Sequence, residues 1–369
     1  MSTVPDKHQS VVIVQPRAPL ETLEVDTIPP SNGEILVRVE WLASTPLNLH
    51  NADGGLLVRP PYIMSGCFAG EVAQLGDLSA SSQDLNVGDK VFGFAFAEGK
   101  QRPMQEYVTI PAYLCGKVPE GISLQAAATV PSNFVTAVHT VTKDLGLELP
   151  WPLPENWTPR KETRDAPILV WGAASSVGQY TLQVFKFWGY RNVLAVASRR
   201  HHAVLREFGA AGCFDYTQQD VVQQILNKEA DIPYIVDCIG SLEGTLTPLS
   251  KIAGNGSKVA VMLPVITTHA SSTQVPEYEM DVSKVLVGKW KEGVEVRGVR
   301  THFYTENEFF KNHLQPSIMP ELLAKGLIQP NKQRIVEGAT LLERAKKALT
   351  LLRERDVSGE KLVWRVAEE

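Results

Sequence analysis

Ile168-Leu169-Val170-Trp171-Gly172-Ala173-Ala174-Ser175-Ser176-Val177-Gly178 is the segment on which the fold turns. Its first four residues are apolar and read as a buried strand. The small residues that follow read as a tight turn. Beyond them Val177, Val184, Phe185 and Trp188 form the apolar stripe of an amphipathic helix. Small residues between a strand and a helix let the backbone approach a pyrophosphate, which then rests on N–H groups at the helix N-terminus. In the dinucleotide frame the segment is A-x-S-x-x-G: Ala173 and Ser175 stand where glycines are expected, and Gly178 keeps the third glycine. Two readings stay open from the residues alone, a cofactor turn (Ala173, Ala174, Ser175, Ser176, Val177) and an ordinary tight turn.

Downstream, strands and helices alternate. Asn192–Ala197, Cys213–Asp215, Tyr234–Asp237 and Ser257–Met262 read as strands, and His201–Phe208, Val221–Leu226 and Leu242–Ile252 as helices. This predicts an α/β unit with a doubly wound parallel sheet. After the second strand comes Ser198-Arg199-Arg200, where a fold specific for NAD would place an acid on the ribose. A hydroxyl and two guanidinium groups suit a 2′-phosphate, so NADPH is expected over NADH. The competing reading is an exposed basic helix start. Tyr216, beyond the third strand, is placed to reach the adenosine end or simply to pack.

Upstream the texture differs. The short apolar runs Val11–Val14, Ile35–Val39, Gly70–Val72 and Val91–Phe94 are separated by turn signals and predict a compact β-rich unit. A helical stretch from Leu124 towards Leu145 follows, with Pro131 bending or breaking it. Glu148 to Pro167 holds Pro150, Trp151, Pro152, Pro154, Trp157 and Pro159, and is expected as an extended surface loop. The tail from Phe309 reads as helical, ending in a strand-like run at Lys361–Val366.

The chain has 369 residues, 36 Lys+Arg against 41 Asp+Glu, and a pI near 6.0. This balance gives no footprint for nucleic acid or for an anionic membrane. The sequence has no apolar run long enough to span a bilayer, no secretory pattern in MSTVPDKHQS and no lipidation signal in WRVAEE. The four cysteines lack C-x-x-C spacing, and none of the eight histidines sits at a two-ligand spacing with Cys or Glu. No G-x-S-x-G elbow is present. The expectation is a soluble, cytoplasmic, metal-free protein whose chemistry belongs to a nicotinamide.

With these residues in place, the chain resembles the medium-chain dehydrogenase/reductase superfamily over nearly its whole length. Pro29-Pro30 before Gly33-Glu34-Ile35-Leu36-Val37-Arg38-Val39, then Gly88-Asp89-Lys90-Val91-Phe92-Gly93, are similar to its GroES-like catalytic domain. Val357-Ser358-Gly359-Glu360-Lys361-Leu362-Val363 looks like the superfamily's closing strand. Zinc-dependent members carry Gly-His-Glu where this chain has Ser65-Gly66-Cys67, which implies the zinc-free branch of quinone oxidoreductases and enoyl reductases. Within it, three stretches resemble the trans-acting enoyl reductases of fungal polyketide synthases. They are Asp144 to Trp151, Ile168 to Tyr180, and Gly209-Ala210 leading to Phe214-Asp215-Tyr216.

The resemblance implies a GroES-like domain of residues 1–135 and 310–369 and a Rossmann NADP-binding domain of residues 136–309. It implies reduction of an α,β-unsaturated polyketide thioester presented by a synthase's carrier protein, with the enzyme a monomer. Thr45, Pro46 and Asn48 match the family's stretch beside the nicotinamide, and Thr45, Asn48 and Thr136 are the implied catalytic groups. Ile239, Met262, Leu263, Val357 and Ser358 are implied further cofactor contacts. Val130, Asn133, Phe134, Val135, Val287 and Gly288 are implied to line the acyl chain, in a cleft between the domains. Tyr107 is another candidate donor, with strand packing as its more common role. Two other functions fit the same features: a quinone or free enone reductase, and a nucleotide-binding pathway member with no redox role.

Overall fold

The computed structural model describes residues 4–79 and 83–366, so the outermost three residues at each end of the chain lie outside it. The chain divides into two compact units: Met1–Ser132 with Ala270–Pro276 and Thr305–Glu369, and Asn133–His269 with Glu277–Tyr304.

The first unit is built on strands β1 (Lys7–Ile13), β2 (Glu21–Asp26), β3 (Glu34–Ala43), β4 (Tyr62–Ile63), β5 (Gly66–Leu75), β6 (Lys90–Ala95), β7 (Tyr107–Pro111) and β8 (Cys115–Lys117). β1 lies between β2 and β4 in a small antiparallel sheet. β3 is the spine of the large sheet. Ile35, Leu36, Val37 and Val39 are all buried, so both faces are covered and the strand reads as a continuous apolar run. β5 pairs along one edge of β3, and β7 pairs with its first half, Glu34 to Arg38. The helix Pro46–Gly54 follows β3, with extended Thr45 before it, Pro46 in its first turn and left-handed Gly55 (φ 63°) after it.

Pro131 does break the predicted helical stretch. One helix spans Leu124–Ala128, capped by Ser123, and a second begins at the proline and spans Pro131–His139. The proline needs no N–H at that position.

The second unit carries β9 (Ile168–Trp171), β10 (Val193–Val196), β11 (Gly212–Phe214), β12 (Tyr234–Asp237), β13 (Lys258–Met262), β14 (Val265–Thr268), β15 (Glu277–Glu279) and β16 (Glu295–Val299). The six-stranded sheet has the order β11-β10-β9-β12-β13-β16, parallel throughout. This is the doubly wound arrangement, with the order reversing between β9 and β12. One face of its core joins Leu169, Trp171, Leu194, Val196, Ile235 and Val259 to Ile225, Leu246 and Leu249.

Three strands here were not foreseen from sequence. β16 is an edge strand in which exposed Glu295 and Arg297 alternate with half-buried residues, and β14–β15 is a short hairpin beside the main sheet. The Glu148–Pro167 segment is irregular apart from one helical turn at Lys161–Arg164. It is pinned to the end of the helix Ser176–Phe187: Trp188 Nε1 donates to the Pro150 carbonyl (3.0 Å), and Trp151 packs on Phe187 and Trp188.

β17 (Lys332–Ile335) and β18 (Glu360–Arg365) return to the first unit, where β18 pairs with Trp41–Ala43 of β3. Between them runs the helix Leu341–Arg353. Its last residue makes a bidentate pair with the buried Asp53, with Nε–Oδ2 and Nη2–Oδ1 both 2.7 Å. Arg17 donates to the carbonyls of Ser271, Ser272 and Gln274, holding the Ala270–Pro276 segment in this unit. Among the described residues no helix is long and apolar enough to cross a membrane.

The Asp53–Arg353 pair generates a stability prediction. Arg353→Ala leaves a carboxylate buried with its main partner gone. Because Arg353 is itself a quarter exposed, the expected loss is about 2–4 kcal/mol, below the full cost for a deeply buried pair. Thermal unfolding checks it, with Asp53→Asn/Arg353→Met expected to recover part of the loss.

Candidate active site

The carboxyl ends of the parallel strands gather most of the expected cofactor residues in the second unit. Ala173–Val177 follow β9, Ser198–Arg200 follow β10, Tyr216 follows β11, Ile239 follows β12, Met262 ends β13 and Leu263 follows it. In open parallel sheets, ligands bind along this edge at the point where strand order reverses.

The turn after β9 is as tight as its small residues predict. The Gly172 and Ala173 N–H groups both reach the Val196 carbonyl (3.0 Å). Gly172 has φ 76°, and a Cβ there would stand 2.5 Å from Ile239 Cγ1. A Cβ on Gly178 would stand 2.6 Å from the Gly172 carbonyl oxygen, so the retained glycine is required by helix–strand contact. Ser175, in a position that glycine often holds, caps the helix Ser176–Phe187: its Oγ accepts the Gly178 N–H (3.1 Å). The serine replacement therefore contributes a helix cap. A capped helix start with a close backbone approach fits a pyrophosphate.

Beyond β10, Arg199 and Arg200 are exposed on a short turn, Arg199–His201. Neither guanidinium forms an ion pair with a carboxylate among the described residues. The nearby Asp215 carboxyl is held below its usual range by N–H and hydroxyl bonds from Thr217, and it also accepts the Arg199 backbone N–H. Tyr216 is 52% exposed, which leaves its ring available.

The loop after β12 was under-read from sequence. Asp237 is fully buried, and its carboxylate accepts the Ile239 N–H (3.0 Å), the Gly240 N–H (3.1 Å) and the Thr245 hydroxyl (2.6 Å). It thereby fixes the backbone that carries Ile239. The Cys238 thiol, pushed well up by burial, touches Ser175 and ties this loop to the turn. The missed signal was an acid closing an apolar strand and followed by Gly240.

In the first unit, Asn48 is buried and fully engaged. Its Oδ1 accepts the Thr45 N–H (2.9 Å) and its Nδ2 donates to the Ser65 carbonyl (3.0 Å), so it holds Thr45 and the helix start in place. Thr45 is half-buried and Pro46 exposed. Val357 and Ser358 lie in the loop before β18. Gly66 and Cys67 open β5. The Cys67 sulfur is in contact with the Ser132 hydroxyl (3.0 Å) and accepts the Ser132 N–H (3.2 Å). Lys361 is buried nearby and donates to the Thr129 carbonyl (3.3 Å). Among the described residues no three His, Cys, Asp or Glu side chains gather as a metal site.

Of the expected acyl-chain residues, Val130, Phe134 and Val135 are fully buried; Phe134 packs edge-on against Tyr180. Asn133 is half-buried, Val287 is 74% exposed, and Gly288 is exposed with φ 71°. Thr136 contacts the Thr301 hydroxyl at 3.0 Å, so its position is fixed by a residue the sequence did not mark. Tyr107 packs on His8, and burial raises its hydroxyl above the usual range.

The chain thus combines a doubly wound sheet of dinucleotide-binding type with a separate β-rich unit. Residues 31–140 match the alcohol dehydrogenase GroES-like domain. The chain is 32% identical over 293 residues to an uncharacterised protein of Saccharomyces cerevisiae, covering 72% of this chain and 73% of that one. It is 25% identical over 366 residues to a trans-enoyl reductase of Gibberella fujikuroi, covering 97% and 98% of the two chains. The crystal structure of CurK enoyl reductase superposes over 98% of this chain and all of its own, with a TM-score of 0.73 at 14% identity. The chain belongs to the medium-chain dehydrogenase/reductase superfamily.

The buried Asp237 generates a pH prediction. Burial pushes its carboxyl from 3.8 up to about 6, against the donors that favour its charge. Between those values the native state keeps a proton that the unfolded chain has released. Its contribution to stability is therefore present below about pH 4 and lost as pH rises to 6. Asp237→Asn cannot titrate, so wild-type stability should fall relative to the variant by about 2–3 kcal/mol across that window. Denaturant unfolding at pH 4, 5, 6 and 7 measures it.

Proposed function

We propose that this protein is an NADPH-dependent, zinc-independent enoyl reductase acting in trans on an α,β-unsaturated polyketide thioester held by a synthase's carrier protein. The observation that carries this reading is the end-to-end similarity to trans-enoyl reductases, joined to a dinucleotide edge whose β10 end bears two exposed arginines with no carboxylate partner among the described residues.

The turn residues Ala173–Val177 hold the pyrophosphate. Ser198, Arg199 and Arg200 hold the 2′-phosphate, and Tyr216 flanks the adenosine. Ile239, Met262 and Leu263, with Pro46, Val357 and Ser358, complete the cofactor contacts. Bound NADPH supplies the hydride that reaches the substrate's β-carbon. Negative charge then develops on the thioester oxygen, where pre-oriented hydroxyl donors lower the barrier. Thr45, fixed through Asn48, and Thr136, fixed through Thr301, are the donors assigned to the reacting end. Val130, Asn133, Phe134, Val135, Val287 and Gly288 are the residues assigned to the acyl chain. With Gly66 and Cys67 at the positions where zinc enzymes carry a ligand and an acid, the carbonyl is polarised by hydrogen bonds. The domain limits 1–135 with 310–369, and 136–309, belong to the same reading, as do a monomeric state and a cytoplasmic location.

The test is mass analysis of product after incubation with NADPH and a short α,β-unsaturated thioester, with NADH and chelator controls. Saturated product that depends on NADPH and survives chelator is expected. Tight NADPH binding without product, from either a free or a carrier-bound thioester, overturns enoyl reduction. Cofactor choice has its own test, because each charge-assisted contact is worth about 1.5–3 kcal/mol. The Arg199→Ala/Arg200→Ala variant should lose NADPH affinity by roughly 10²-fold or more while NADH affinity holds; an unchanged ratio removes the NADPH assignment.

A further inference from the structure

The mechanism above supplies a hydride but names no source for the proton that must reach the α-carbon. The second unit contains a hydroxyl–imidazole pair that no role has absorbed: Ser241 Oγ and His269 Nε2 lie 3.0 Å apart. Both belong to the carboxyl edge on the β12–β13 side of the strand-order reversal. Ser241 closes the loop Cys238–Ser241, whose Ile239 lies against the Gly172 turn. His269 immediately follows β14, and Ser241 bridges to Ile266 of that strand. A dinucleotide spans the reversal with one mononucleotide half on each side. An adenosine half beside Ser198–Arg200 and Tyr216 leaves the nicotinamide half to the side that carries Ser241 and His269.

The geometry around the hydroxyl is unusually determined. The Ser241 N–H donates to Thr245 Oγ1 (3.0 Å), and that hydroxyl donates to the buried Asp237 (2.6 Å). Gly240, with φ 68°, brings the loop so close to β13 that a Cβ there would stand 2.3 Å from the Met262 carbonyl oxygen. Ser241 Oγ itself accepts the Gly244 N–H (3.3 Å). When His269 is an imidazolium, its Nε2–H takes another acceptor position on Oγ, and the Ser241 O–H is left to donate elsewhere.

We propose that Ser241 and His269 form the proton-delivery pair of the reduction, Ser241 as the donor to the α-carbon and His269 as the group that recharges it. This rests on the enoyl reductase reading above. As the β-carbon takes the hydride, the C=C electron pair moves into the enolate. The α-carbon then takes the Ser241 Oγ–H, Oγ takes the Nε2 proton, and neutral His269 regains a proton from water. The charged groups on the neighbouring elements are Asp237 at the end of β12, Glu277 and Glu279 on β15, with Glu277 Oε2 accepting the Thr268 hydroxyl (2.9 Å), and the Arg17 guanidinium on the segment after His269. Past His269 the chain enters the Ala270–Pro276 segment, whose carbonyls are held by Arg17.

The test is the pH dependence of kcat/KM for NADPH-driven reduction of an enoyl thioester, with NADPH affinity measured on the same samples. In the wild type the rate should fall as pH rises through the imidazole range. His269→Gln keeps the hydrogen bond and loses the titration; it should be roughly 10²-fold slower and flat over that range. Ser241→Ala should be as slow, and the double variant no slower than either. NADPH affinity should stay within about two-fold in all three, which separates proton delivery from loop collapse. A His269→Gln enzyme with the wild-type rate and pH profile overturns the proposal and reduces the pair to a turn cap. Equal losses in rate and NADPH affinity also overturn it. A wild type inactive on every enoyl thioester overturns the reading beneath it, and this assignment with it.

Discussion

Everything at the nucleotide edge depends on one close approach, that of the helix Ser176–Phe187 to the turn at the end of β9. A Cβ at position 178 would stand 2.6 Å from the Gly172 oxygen and 2.7 Å from Ala173 Cα, inside any tolerable contact. Only glycine lets the helix start there, and only with the helix there do its first-turn N–H groups face the strand ends. This explains which of the three expected glycines can be lost. Ala173 and Ser175 tolerate side chains, because Ala173 packs into a closed core and Ser175 turns its hydroxyl back onto the Gly178 N–H. The glycine that carries the packing is the one retained.

A second constraint follows from the first. With the turn fixed, Ile239 is pressed against Gly172, so the loop after β12 must be equally fixed. Asp237 performs that task from inside the sheet, accepting two backbone N–H groups and a threonine hydroxyl while fully buried. A buried carboxylate is costly unless its bonds are made. Its three donors are therefore both its stabilisation and the means by which Ile239, Gly240 and the Thr245 side chain are held still. Ser241 is ordered as a consequence of the same acid, through Thr245.

The legible and illegible parts of the fold separate along physical lines. The parallel strands β9, β10, β12 and β13 were readable because both faces are buried and their apolar runs stand out from the polar chain around them. β16 and the β14–β15 hairpin were not. An edge strand needs little apolar surface, and Glu-Val-Arg-Gly-Val carries its charges where a central strand could not. At the site, turn chemistry and the arginine pair could be read locally. The Asn48–Thr45 and Thr136–Thr301 contacts could not be read as contacts. Thr136 and Thr301 are 165 residues apart in the chain. Asn48 and Thr45 are close, but nothing in their spacing says that the amide is spent on the helix start.

The β5 start shows how one substitution changes what a site can do. Cys67 stands where zinc enzymes of the superfamily carry an acid. Its sulfur is enclosed by Ser132, and Lys361 lies close by, buried among the same elements. Burial lowers the Lys361 ammonium's affinity for its proton, and the nearby sulfur opposes that shift. With a thiol at 67 and glycine at 66, the neighbourhood carries neither the carboxylate nor the imidazole of the zinc-dependent pattern, and the Lys361 ammonium donates to the Thr129 carbonyl. On the enoyl reductase reading proposed above, charge stabilisation at the reacting carbonyl comes from hydroxyls held by other side chains, the role assigned there to Thr45 and Thr136.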